Sequence, residues 1–304
     1  MLLNPDRGDF VDKIWPYDFI GNTPYVYVDN IGIKLEGYNP TGSIKDRAAW
    51  YMMKMAESRG ELRKGMEIVE ATSGNTGISL AMLSSLRGYS FTAVMPESMS
   101  EERRAMMRSY GANIILSPAE KGSKGAKEIL ENMMKDRKNR WFPRQFESED
   151  NIEAHRKGTG PEIIRDFGKI DAFVAGIGTG GTLIGIAKAF SDAGMDVRIV
   201  GVEPEESAVI YGKNPGKHGI QGIGRGEITP IVEKHMDLID EIITVKTGDA
   251  MNSMKYLWRE RGISTGMSAG ANFFAARKLL KRGYRVVTIA PDRGDRYLSI
   301  ANRW

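Results

Sequence analysis

Short apolar runs rich in β-branched and aromatic residues alternate along this chain with stretches whose apolar positions recur at helical spacing. Residues 25–28, 33–36, 67–70, 91–95, 113–116, 172–177, 198–202, 241–245 and 285–289 read as strands. Residues 45–57, 76–86, 101–109, 183–190, 250–261 and 271–280 read as helices. Strands that alternate with helices predict an α/β protein with parallel sheets and helices on both faces. The strands from 67 to 116 are expected to form a small sheet and those from 172 onward a larger one. A boundary falls near Pro143–Gln145, and the first strands of the chain join the larger sheet. In such sheets ligands bind where strand ends meet helix starts, and the glycine-rich segments of this chain lie at those places.

Composition narrows the picture. The chain has 304 residues, 41% hydrophobic and 27% charged, ordinary values for a globular protein of two domains or one large α/β unit. It has no cysteine, which excludes disulfides and thiolate metal sites and suits a reducing cytoplasm. Its 43 basic and 39 acidic residues are interspersed, without a dense basic run, so nucleic acid is not an expected partner. Residues 121–140 alternate in sign around Ile129, Leu130, Met133 and Met134, the pattern of a solvated amphipathic helix. The start of the chain carries Asp6, Asp9 and Asp12 rather than an apolar signal core, and no apolar run reaches the roughly 20 residues of a membrane helix.

Three segments carry candidate chemistry. Gly176-Ile177-Gly178-Thr179-Gly180-Gly181-Thr182 follows an apolar strand and opens a helix. Its backbone N–H groups and the positive helix end suit a phosphate. The same glycines match a dinucleotide fingerprint, with Glu203 near the place of a ribose-binding acid, so a nicotinamide-dependent oxidoreductase stands as an alternative. Thr72-Ser73-Gly74-Asn75-Thr76-Gly77 follows another strand and reads either as a carboxylate cradle or as a helix cap. In Asn39-Pro40-Thr41-Gly42-Ser43-Ile44-Lys45-Asp46-Arg47, Ser43 is a candidate N-cap, which puts Lys45 in the first helical turn. A cation there opposes the helix dipole. Lys45 is thus either a plain surface lysine or an amine kept reactive by positive surroundings.

Taken in order, these segments resemble the cysteine synthase and cystathionine β-synthase family, the fold-type II pyridoxal-phosphate enzymes. The likeness begins at Ile20-Gly21-Asn22-Thr23-Pro24 and Lys34-Leu35-Glu36. After the two loops around Lys45 and Asn75 it continues through Met95-Pro96, Glu102-Arg103-Arg104, Gln145-Phe146, Thr159-Gly160-Pro161-Glu162-Ile163 and Val202-Glu203-Pro204. Beyond these come Ile220-Gln221-Gly222-Ile223-Gly224, Ser268-Ala269-Gly270 and Arg296-Tyr297-Leu298-Ser299.

The resemblance implies pyridoxal 5′-phosphate as cofactor, in a cleft between two domains. One, residues 40–145, is smaller and movable and bears the Schiff-base lysine loop; residues 1–39 and 146–304 form the larger, cofactor-phosphate domain. It implies Lys45 as Schiff-base lysine and catalytic base. Gly178, Thr179, Gly180, Gly181 and Thr182 would hold the phosphate, Asn75 the 3′ oxygen, and Ser268 the pyridine nitrogen. Thr72, Ser73, Gly74, Thr76 and Gln145 would receive the substrate carboxylate, with Gly222 on the far side of the cofactor. Arg225 is a candidate for recognising a phosphorylated substrate, or a solvent-facing arginine. The implied reaction is β-replacement on a serine-type amino acid through an α-aminoacrylate: O-acetylserine or O-phosphoserine plus sulfide giving L-cysteine, or a serine donor plus homocysteine giving cystathionine. A homodimer is implied. The chain closes at Trp304 and has a short leader, so neither a C-terminal regulatory domain nor an N-terminal haem extension is expected. His155, His218 and His235 lack metal-ligand spacing and read as structural or exposed. The Asp292-Arg293-Gly294-Asp295 turn reads as backing for the cofactor pocket or a simple turn.

Overall fold

The computed structural model describes residues 14–135 and 138–298. Asp6, Asp9, Asp12 and Ser299 lie outside them. Among the described residues, ten strands divide between two sheets. Strands β1 (Tyr25–Val28), β2 (Ile31–Leu35), β7 (Ala172–Gly176), β8 (Arg198–Pro204), β9 (Glu241–Val245) and β10 (Val286–Ala290) form a six-stranded sheet in the order β1-β2-β10-β7-β8-β9. Strands β3 (Glu67–Ala71), β4 (Ser90–Pro96), β5 (Asn113–Ser117) and β6 (Arg140–Trp141) form a four-stranded sheet in the order β5-β4-β3-β6. The first two strands do join the larger sheet.

All pairings are parallel except that of β1 with β2. Those two strands form a hairpin whose two turn residues, Asp29 and Asn30, have φ of 49° and 64°. Asn and Asp tolerate that left-handed backbone, and such turns match the twist of the paired strands.

The helices are α1 (Lys45–Ser58), α2 (Asn75–Arg87), α3 (Glu101–Ser109), α4 (Gly122–Met133), α5 (Glu149–Ala154), α6 (Gly160–Phe167), α7 (Gly181–Asp192), α8 (Pro230–Lys234), α9 (Thr247–Arg261) and α10 (Met267–Leu280). They cover both faces of the larger sheet. Along β7, Ala172 and Val174 pack into one apolar cluster while Phe173 and Ala175 pack into another. Alternate side chains of a strand point to opposite faces, so a strand buried on both sides must be apolar throughout. The smaller sheet has its own core around Ile68, Phe91, Ala93 and Met95.

Three expectations need adjustment. The charged stretch 121–140 is helical only through Met133, and Arg140 starts β6, where it pairs with Glu67 at 2.8 Å. The helices α9 and α10 begin three and four residues earlier than their apolar periodicity indicates, at Thr247 and Met267. Residues 149–167 form a helical run that the pattern does not reveal, because Gly158, Gly160 and Pro161 interrupt it. A π-helical turn, His155–Thr159, joins α5 to α6 there. Gly160 is needed for packing, since a β-carbon on it would come within 2.3 Å of Ala189 in α7.

Candidate active site

Lys45 opens α1, and the loop before it is tied down on several sides. Gly42 has φ of 85°, and a side chain there would meet the Arg293 guanidinium at 2.9 Å. The Ile44 N–H donates to the Pro291 carbonyl at 2.8 Å, and Ser43 forms a bridge with Asp292. Arg296 donates to the Gly42 carbonyl at 2.7 Å and also to that of Thr41. Ser43 accepts the N–H of Lys45 at 3.3 Å, a local turn bond. Asp46 accepts the Thr41 N–H at 2.7 Å and the Ser79 hydroxyl at 2.6 Å, tying the loop to α2.

Behind Lys45, the Arg47 guanidinium is buried and forked between two carboxylates. It reaches Glu36 at 2.6 and 2.8 Å and Glu162 at 2.6 and 2.8 Å. Lys34, fully buried, adds contacts of 3.0 Å to Glu162 and 2.5 Å to Asp166. Bidentate pairs of this kind fix orientation as well as charge. Burial works against the Glu162 charge, but Arg47 and Lys34 outweigh it and hold the carboxyl at about 2.

The Lys45 side chain is half-buried, and among the described residues nothing hydrogen-bonds its ammonium. Burial lowers its pKa to about 8, with the negative charge of Asp292 pulling the other way. Each unit is tenfold in protonation, so at pH 7 the free-amine fraction rises roughly a few hundredfold over an exposed lysine.

Lys45 lines a pocket with Asn75, Gly178, Thr179, Gly180, Thr182, Gly222, Ser268 and Asp292. The glycine loop forms its floor. Gly180, φ 92°, caps α7, which starts at Gly181. A β-carbon at Gly178 would lie 2.5 Å from the Gly222 carbonyl, and one at Gly181 would lie 2.4 Å from the Asn151 amide oxygen. Neither glycine admits a side chain, so the backbone of the helix start lies open to an anion, with the Gly181 N–H itself donating to the Thr179 hydroxyl at 3.2 Å. Asn151 donates to the Thr179 hydroxyl at 3.1 Å, and the Thr229 hydroxyl donates to the Thr179 carbonyl at 2.8 Å. His155, fully buried, contacts the Thr182 hydroxyl at 3.2 Å and the Thr159 hydroxyl at 2.9 Å. Desolvation takes its pKa well below 6.5, so the ring is neutral.

Asn75 begins α2, and Ser268 lies in the first turn of α10. The Asn75 amide donates to Asp292 at 2.7 Å, as does the Tyr297 hydroxyl at 2.6 Å. The side-chain amide oxygen of Asn75 and the second Asp292 carboxylate oxygen are buried without a partner. Thr72, Ser73 and Gly74 lead into α2, and the Thr76 hydroxyl donates to Gln145 at 2.7 Å. Gln145 in turn donates to Glu70 at 3.2 Å. Glu70 is buried, and desolvation raises its pKa to about 8. Arg225 does not line the pocket. Its guanidinium stacks on Phe146, 3.7 Å from the ring centre, and pairs with Glu227 at 3.1 Å.

The sequence pattern left Asp292 as backing or a turn, and the structure puts it in the pocket wall. Glu70 and Asn151 carried no local signal at all. His155 is structural, under the glycine loop. His218 supports the neighbouring glycine loop through a 2.7 Å contact with the Gly224 carbonyl. Glu203 accepts the backbone N–H groups of Ile210 and Tyr211 at 3.2 and 3.0 Å, so it caps a loop instead of awaiting a ribose. Among the described residues no group of three or more His, Asp or Glu could hold a metal ion.

A lysine amine of lowered pKa in one pocket with a glycine-rich anion cradle, together with unpartnered buried oxygens of Asn75 and Asp292, fits a phosphorylated aldehyde cofactor. The class so defined is the pyridoxal-phosphate enzymes of the two-sheet α/β type. A family model described as "Pyridoxal-phosphate dependent enzyme" matches residues 17–292, and the chain belongs to that family. It is 45% identical over 289 residues to cysteine synthase B of Campylobacter jejuni, covering 93% of this chain and 96% of that one. It is 42% identical over 293 residues to a cysteine synthase of Staphylococcus aureus, covering 92% and 94%. The crystal structure of the cysteine synthase from Entamoeba histolytica superposes with a TM-score of 0.89 at 38% identity, covering 98% of this chain and 93% of that one.

Proposed function

We propose that the chain catalyses β-replacement on a serine-type amino acid, joining O-acetylserine or O-phosphoserine to sulfide to give L-cysteine. The observation that carries this reading is the Lys45 amine, free of hydrogen bonds and lowered to about 8, in one pocket with Asn75, Ser268 and the glycine cradle. The similarity to cysteine synthases supports sulfide as acceptor over homocysteine.

Bound pyridoxal phosphate supplies an electron sink at the substrate α-carbon. The residues present would hold it as follows. Gly178, Thr179, Gly180, Gly181 and Thr182 take the phosphate. Asn75, with one N–H already on Asp292, would offer its other N–H to the ring oxygen. Ser268 meets the ring nitrogen with a neutral hydroxyl, which does not hold a proton there as a carboxylate would. Thr72, Ser73, Gly74 and Thr76 offer hydroxyls and N–H groups at a helix start, with Gln145 beside them, for the substrate carboxylate. Gly222, φ 96°, leaves the opposite wall open. Lys45 takes the α-proton as an amine and returns it as an ammonium, a role its lowered pKa suits near neutral pH.

In this reading residues 40–145 act as a movable domain over residues 1–39 and 146–304. Arg225 sits near the carboxylate end, its charge felt by Glu70, and would meet a phosphate leaving group by releasing Glu227. A homodimer in the cytoplasm completes the reading. No described helix is long and apolar enough to cross a membrane. The test is product formation from O-acetylserine with sulfide and, separately, with homocysteine. The reading predicts cysteine as the faster product, and cystathionine alone would overturn it.

A further inference from the structure

Arg103 lies in α3, beside the smaller sheet, and reaches across to elements of the larger one. Its guanidinium donates to the Gln221 side chain at 2.6 Å, although 118 positions separate the two. The same guanidinium lies 5.7 Å from the centre of the Tyr297 ring, within the range of a cation–π contact. Tyr297 is buried to 1% exposure, and its hydroxyl donates to the Asp292 oxygen that also receives Asn75. A continuous set of contacts therefore runs from the mouth of the cleft, Gln221 and Arg103, through Tyr297 and Asp292, to Asn75 and the field around Lys45. Its two ends belong to different sheets, so it exists only while the sheets are held in this relation. Arg104, the neighbouring arginine, pairs instead with Glu101 of its own helix at 2.8 Å.

We propose that Arg103 is a positioning residue: by clasping Gln221 and the face of Tyr297 it holds Asp292 turned toward Asn75 and so sets the surroundings of the Lys45 amine. The physical reasoning is local. A cation over the Tyr297 ring steadies the ring, and a steady ring keeps its hydroxyl on Asp292. With both Tyr297 and Asn75 donating to it, Asp292 is held as their acceptor. Once the clasp is lost, the carboxylate can turn toward the Lys45 amine, which already feels its charge. Asp292 already opposes the effect of burial on Lys45, so a closer approach strengthens that opposition. The charged and titratable groups involved are Asp292 and Tyr297 beside Lys45, Arg103 and Arg296 around Tyr297, and the neutral His155 below.

The inference rests on Lys45 being the cofactor lysine. Its test has a readout that does not depend on turnover: the pH midpoint at which Lys45 becomes reactive to a competitive acylating reagent in the full chain freed of cofactor, followed by peptide mass mapping. Arg103→Met is expected to raise that midpoint by about half a unit or more, a threefold change in free amine. Tyr297→Phe is expected to raise it as well, and the double variant to give less than the sum of the two, as coupled residues do. Arg108→Met removes a charge from the same helix without touching Gln221 or Tyr297, and is expected to leave the midpoint in place. An unchanged midpoint in Arg103→Met, strict additivity in the double variant, or an equal shift in Arg108→Met would each overturn the proposal. Borohydride reduction of each holoenzyme separates the two readings. Cofactor fixed on Lys45 with an unmoved midpoint defeats only the clasp, whereas no fixation on Lys45 in the parent protein defeats the site assignment itself.

Discussion

Asn75 and Asp292 stand 217 positions apart in the chain and share a hydrogen bond of 2.7 Å in the wall of the site. One begins a helix beside the smaller sheet and the other ends the central strand region of the larger, so the bond joins the two halves of the pocket. Asp292→Ala would leave the Asn75 amide and the buried Tyr297 hydroxyl without their acceptor. Unsatisfied buried donors cost about 1–3 kcal/mol each. The variant is expected to unfold at lower temperature and to retain less cofactor after dialysis. A protein with unchanged thermal midpoint and cofactor content would show that the bond carries no weight.

The buried ion network behind Lys45 predicts acid sensitivity. Glu162 has its carboxyl held at about 2 by Arg47 and Lys34, below the ordinary value of 4.5. An acid with a depressed folded-state pKa adds stability above its unfolded pKa and loses it as pH falls toward the folded value. Between about pH 4.5 and 2 the parent chain should therefore lose this contribution. Glu162→Gln should remove it at neutral pH, at a cost of about 3–5 kcal/mol, because Arg47 and Lys34 keep buried charges without a full counterion. Denaturant melts at pH 7 and pH 3 measure both, and the gap between variant and parent should narrow at the lower pH.

Glu70 has the opposite sign. Desolvation raises its pKa to about 8, so between about pH 4.5 and 8 the folded chain keeps a proton that the unfolded chain releases. Stability then falls as pH rises through that window. Glu70→Gln keeps the shape and the bond to Gln145 without the titration. Its melting temperature should fall less than the parent's from pH 5 to pH 8, and parallel curves would refute the assignment.

Much of this organisation is legible in the sequence, and the illegible part has physical causes. Apolar strands such as Ala172–Gly176 and the glycine turn after them announce themselves, because a strand buried on both faces has few alternatives. The two-residue strand Arg140–Trp141 is too short to show a period. The run 149–167 hides behind Gly158, Gly160 and Pro161, of which Gly160 is required by the close approach of α7 rather than by a turn. Lys45, Asn75 and the glycine loop sit where a strand leads into a helix, the place where ligands of such sheets bind, whereas Ser268 follows α9 at a helix-to-helix turn. Glu70 and Asp292 act through partners 75 and 217 positions away, and no local pattern encodes those contacts.

Arg225 offers a choice of substrate to test. Its guanidinium, stacked on Phe146 and paired with exposed Glu227, can meet a phosphate only by exchanging that partner. A hydrogen bond to a charged group contributes about 1.5–3 kcal/mol, roughly a ten- to hundredfold effect. Arg225→Ala should lower kcat/KM for O-phosphoserine by about that factor and leave O-acetylserine nearly unaffected. Equal losses with both donors would remove Arg225 from the substrate site.

The central claim is that Lys45 is the residue that carries the cofactor. The direct measurement is borohydride reduction of the holoenzyme, proteolysis, and mass analysis of the peptides. The account predicts loss of the visible absorption band and a single modified peptide with the added mass on Lys45. Its counterpart, Lys45→Ala, should yield no fixed cofactor and lose about a hundredfold to ten-thousandfold of the activity, the range that a positioned base contributes. Fixation on any other lysine, or none in the parent protein, would contradict it.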